Sequence, residues 1–142
     1  MRRMWLVLAV AACGSTPPPK CITIAASCDA LYVPTFDNVY KMTLNKSCGN
    51  TNSGCHSAAA NMDGLSFETE DVAYMKLVGQ PSGRDHTQIR VDPGNPACSV
   101  FIVRTDSPGT DYQMPQGDPL SPEERCALIQ WVQNGAKAGS AM

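Results

Sequence analysis

Cys55-His56 ends a cysteine-bearing stretch, with Cys48 seven residues upstream and Met114-Pro115 fifty-eight residues beyond the histidine. Each residue type carries a chemistry. Thiols add across vinyl groups and tether a porphyrin, and an imidazole beside a tethered cysteine is held under the iron. A thioether on the opposite face completes an octahedral site and favours the reduced metal. These residues predict one covalently bound haem c, with Cys48 and Cys55 as attachment points and His56 and Met114 as axial ligands. The spacing departs from the usual C-x-x-C-H, because six residues, Gly49 to Gly54, separate the two cysteines. Two glycines and two asparagines in that stretch let it bulge outward.

Other side chains offer weaker versions of the same chemistry. His86, in the polar run Arg84-Asp85-His86, is the fallback sixth ligand and otherwise a surface histidine. Arg84, Arg90 and Arg104 read as solvated charges, with haem propionates as the alternative partners. Trp131 reads as core. A zinc site from Cys48, Cys55, His56 and His86 lacks a compact second ligand pair. No Ser/His/Asp arrangement, paired-carboxylate motif or phosphate-binding glycine loop is present. The chain therefore reads as an electron carrier rather than a catalyst, with no small-molecule substrate evident.

At 142 residues and a net charge of −2, the chain has room for one domain and no electrostatic reason to bind nucleic acid. Residues 1–12 read as a signal peptide. Arg2-Arg3 precede an apolar run from Met4 to Ala12 that is too short to span a bilayer. Val10-Ala11-Ala12-Cys13 has the form of a bacterial lipobox, which makes Cys13 the lipidated residue; the alternative is plain cleavage after Ala12. Residues 13–33 then form the lipid-anchor cysteine and a Pro-rich tether, stiffened by Pro17-Pro18-Pro19. Residues 34–142 form the domain.

Of the seven cysteines, six remain for the exported chain. With Cys48 and Cys55 given to haem, Cys21, Cys28, Cys98 and Cys126 are the disulfide candidates, and the pairing chosen is Cys21–Cys28 with Cys98–Cys126. The alternative is a three-disulfide domain in which Cys48 bridges Cys55.

Four helices must position these residues. The first, 34–46, has Phe36, Val39 and Tyr40 at helical spacing and delivers the chain to Cys48. The second, 69–78, has Thr69 as cap, Glu70 and Asp71 at the positive end, Gly79 as stop, and Val72, Met75 and Leu77 or Val78 facing inward. The third, 96–104, has Asn95 as cap, Pro96 first, and Val100, Phe101 and Val103 as core. The fourth begins at Ser121-Pro122-Glu123-Glu124, runs to about Asn134 and buries Ala127 or Leu128, Trp131 and Val132. Residues 105–120, with three prolines and two glycines, form an irregular arm carrying Met114. No segment demands a sheet, so the fold is expected to be all-α, a bundle of about four helices around a haem pocket.

An ordered set of motifs spans about residues 34–137: Cys55-His56, Gly64-Leu65 with Phe67, and Leu77-Val78-Gly79-Gln80-Pro81-Ser82. It continues through Val91-Asp92-Pro93-Gly94-Asn95-Pro96 with Ser99, and Met114-Pro115-Gln116-Gly117. Leu120-Ser121-Pro122-Glu123-Glu124, Ile129-Gln130-Trp131-Val132 and Asn134-Gly135-Ala136 complete it. The set resembles the small cytochrome c-like domains of exported bacterial lipoproteins and multidomain proteins. The resemblance implies a class I-like cytochrome c fold, covalent haem and one-electron transfer, with His56 as proximal ligand, Met114 as distal ligand and Cys55 as a thioether. Cys48 matches only through the lengthened spacing.

The reading is thus a c-type electron-transfer lipoprotein, membrane-anchored on its extracytoplasmic side, whose partners are redox proteins. The alternative is a haem-free, disulfide-stabilised binding or structural module on the same scaffold.

Overall fold

The computed structural model describes residues 17–49 and 54–139. The signal peptide, Cys13 and most of the bulge after Cys48 lie outside the described residues. Within them the chain is helical, and extended pairing is limited to two isolated bridges, Val78 to Val91 and Pro81 to Ile89. The all-α expectation holds at this level.

Thr35 caps α1 (Phe36–Val39), its side chain accepting from the Asn38 amide, so the helix starts two residues after Pro34. From Tyr40 to Cys48 the winding widens to a π-helix, in which each amide reaches five residues back, as Gly49 N–H does to the Leu44 carbonyl. The buried positions follow that wider turn: Val39, then Thr43 and Leu44, then Cys48. Helix α2 (Glu70–Leu77) has the expected Thr69 cap and buries the expected Leu77, with Ala73 rather than Val72 and Met75 completing the face. Met75 is 63% exposed and Val72 only half-buried, because α2 lies on the core by a narrow i, i+4 stripe.

The third helix is broken. Pro96–Cys98 makes one tight turn, Ser99 is extended, and α3 runs over Val100–Thr105. Ser99 explains the break: its hydroxyl donates to the Asn95 carbonyl and accepts from the Asp92 amide, drawing the chain off the helical path. The first amides of α3 are satisfied instead by the Ile89 and Arg90 carbonyls. Helix α4 (Pro122–Gln133) starts with the complete capping box of Ser121 and Glu124.

The core gathers around Trp131. Phe36 packs on it at 5.1 Å between ring centroids and meets Tyr74 edge-on at 5.0 Å, joining α1, α2 and α4. Leu44, Leu77, Ile102, Leu128 and Val132 fill the remainder, each fully buried side chain contributing roughly 1.5–3 kcal/mol.

All four disulfide candidates are paired, in a different order from that expected. Cys21 bonds Cys98 and Cys28 bonds Cys126, spanning 77 and 98 residues. The reason lies in residues 21–33, assigned by sequence to the tether. They run extended across the domain, with Ile22 donating to the Ala97 carbonyl and Leu31 to that of Glu123. Gln130 donates to the Cys28 carbonyl at 3.1 Å, and Tyr32 hydroxyl meets that of Thr43 at 2.6 Å. An extended strap offers no turn to join Cys21 to Cys28, and it carries each one to a different helix.

Candidate functional site

A cavity of about 440 Å³ opens between the π-helix, the loop after Cys55, the start of α3 and the irregular arm. That size falls within the ~300–1,000 Å³ of small-molecule and cofactor sites. Cys48, Cys55, His56 and Met114 all line it, so the four residues singled out by type and spacing converge. His86 is exposed and does not line it. Leu65, Phe67, Leu77, Val100 and Phe101 supply apolar walls.

His56 is held from two sides. Its Nδ1 lies 3.1 Å from the Leu65 carbonyl oxygen, which fixes the tautomer with the proton on Nδ1 and leaves Nε2 as the basic nitrogen. Phe67 packs against the ring at 5.2 Å, and its own amide donates to the His56 carbonyl. Burial pushes the imidazole down from its ordinary range, against the Leu65 hydrogen bond, which acts the other way; the balance favours the neutral ring, the form that binds a metal. Cys48 is delivered by the last turn of the π-helix into a buried position, and burial pushes its thiol up to about 12. Cys55 is disulfide-bonded, but not to Cys48, so the Cys48–Cys55 bridge of the alternative reading is not formed.

The charged lining departs from expectation. Arg84 is exposed, but Arg90 and Arg104 are half-buried, and all three line the cavity. Arg90 donates to the Lys76 carbonyl at 2.7 Å and to that of Asp63, which ties the end of α2 to the loop after His56. Its Nε is buried with no partner. Arg104 donates to the Tyr112 carbonyl at 3.2 Å. Among the described residues none of the three forms an ion pair with a carboxylate. Burial pulls both half-buried guanidiniums below their ordinary range, and Arg84 near Arg104 acts in the same direction. Arg84, Arg90 and Arg104 share the lining with Asp63 and Asp118 and form no ion pair with them, so guanidinium charge is left for an anionic ligand.

The lining offers the groups a porphyrin would use, an imidazole, a thioether, apolar walls and guanidiniums, while the Cys55 sulfur is held in a disulfide. Among the described residues no three His, Cys, Asp or Glu side chains gather as a metal-ion site. Trp131 takes no part, because its indole N–H donates to the Lys137 carbonyl at 3.1 Å. Sequence reasoning missed Gln113, which braces the arm around Met114; a glutamine beside a methionine carries no motif.

No family model, curated protein or solved structure matches this chain.

Proposed function

We propose that the protein is a c-type cytochrome of the electron-transfer kind, holding one covalent haem between His56 and Met114. When bound, the haem supplies one-electron chemistry at its iron. The chain's own residues do the rest. His56 is oriented by the Leu65 carbonyl and its burial favours the neutral ring, while the arm presents the Met114 thioether to the same cavity. Arg84, Arg90 and Arg104 offer charge to the propionates, and Leu65, Phe67, Leu77 and Phe101 exclude water. The observation that carries this reading is the convergence of Cys48, Cys55, His56 and Met114 on one cavity.

The Cys21–Cys98 and Cys28–Cys126 disulfides fit an oxidising, extracytoplasmic compartment. Among the described residues no helix is long and apolar enough to cross a membrane. Anchoring is assigned to a lipid on Cys13 from the form of Val10-Ala11-Ala12-Cys13, with redox proteins as partners. A pyridine haemochrome spectrum of protein expressed with a c-type maturation system tests the reading: a c-type spectrum supports it, and colourless exported protein counts against it.

One observation favours a second reading. Cys55 is oxidised as a disulfide, and a thioether needs its thiol. A protein that keeps this bond would be a haem-free module, its cavity taking an apolar anion without covalent attachment.

A further inference from the structure

We propose that Gln113 is the positioning residue for Met114, a role that rests on the haem reading above. The arm between α3 and α4 has no regular structure, yet it must hold a thioether at one place on the cavity wall. Met114 is anchored on its N-terminal side by its own amide, which donates to the Arg104 carbonyl at 3.0 Å. Its C-terminal side is held by a neighbouring side chain. The Gln113 carboxamide nitrogen donates to the Pro115 carbonyl at 3.0 Å and the Gly117 carbonyl at 2.8 Å. Its oxygen accepts from the Gly109 amide at 2.6 Å.

One buried amide thus ties the entry of the arm to its exit, with Met114 inside the loop it closes. Gln113 is only 7% exposed, and both amide hydrogens and the carbonyl are engaged. Its backbone is held too, by its amide to Thr110 and by Gln116 donating to its carbonyl at 2.7 Å. The side-chain chemistry is specific. A glutamate keeps the acceptor for Gly109 and cannot donate to Pro115 and Gly117 when ionised. A leucine supplies neither, and leaves three backbone groups without a partner.

The test compares matured wild-type protein with Gln113→Glu and Gln113→Leu, each well below its own unfolding midpoint. Expected in both variants is unchanged haem content by pyridine haemochrome and a sulfur-to-iron charge-transfer band weakened severalfold. The reduction potential should fall, and hydrogen exchange at the Met114 amide should quicken roughly tenfold. A purely stabilising role would lower the unfolding midpoint and leave band and potential alone. Variants with wild-type band and potential overturn the proposal while the haem reading stands. A wild-type protein that matures with no haem overturns both, and is recognised by the absence of any haem spectrum in all three samples.

Discussion

The Nδ1 of His56 and the carbonyl oxygen of Leu65 are 3.1 Å apart, nine residues along the chain from one another. That bond sets which imidazole nitrogen faces the cavity, and its strength depends on the loop between them keeping its shape. The loop is pinned by Asp63, whose carboxylate accepts from the Gly83 amide at 3.1 Å and whose carbonyl accepts from Arg90. The candidate ligand is therefore aligned by backbone contacts that no short motif encodes.

Gly83 is where that pin can be broken. A methyl group there would fall 2.5 Å from the Asp63 carboxylate and 2.7 Å from its carbonyl. Gly83→Ala is expected to destabilise the domain by about 1–3 kcal/mol in denaturant melts. It should also speed hydrogen exchange at Leu65. Wild-type stability and exchange would mean that the contact does not hold the loop.

Gly49 meets a similar limit beside Cys48. A Cβ on it would lie 2.3 Å from that of Phe67, whose ring packs on His56. Gly49→Ala should cost about 1–3 kcal/mol and reduce haem attachment per exported chain, read by absorbance against total protein.

The strap of residues 21–33 is expected to stabilise through its cross-links. Replacing Cys28 and Cys126 by serine opens a bond spanning 98 residues. The loss should be about 2–5 kcal/mol by chemical denaturation under oxidising conditions. An unchanged midpoint would place the stabilising role elsewhere in the strap.

Tyr32 gives the alkaline limit. Burial raises its phenol to about 12 against an ordinary 10.0, although the Thr43 hydroxyl acts the other way. The folded chain then keeps a proton that the unfolded chain loses. The contribution is fully present below pH 10 and is lost as pH rises toward 12. Ultraviolet titration of tyrosinate should show one late group that disappears in Tyr32→Phe. Removing the hydrogen bond with Thr43→Val should move that group later still.

Much of this was legible in the residues themselves. The Ser121–Glu124 box and the Thr69 cap mark their helices because capping is local chemistry, complete within four residues. Cys48, Cys55, His56 and Met114 stand out by type and order, and they share a cavity. What local chemistry cannot carry is long-range pairing. The disulfide partners depend on where an extended strap crosses α4, and the π-winding to Cys48 depends on packing around Leu44. Ser99 turned away from the helix because Asp92 and Asn95 were within reach in three dimensions. Gln113 was silent for the same reason, since its partners are set by the path of the arm.

Met114→Ala separates ligand from scaffold. Matured protein should keep its haem, lose the far-red charge-transfer band and show a lower reduction potential. If the band survives, another residue ligates the iron.

The most direct measurement is the intact mass of the exported, matured chain after denaturation, when only covalent attachments persist. The account predicts the mass of the polypeptide plus one haem, with the increment lost in a Cys48→Ser, Cys55→Ser double variant. A polypeptide without that increment, with Cys55 recovered in a disulfide, would contradict it.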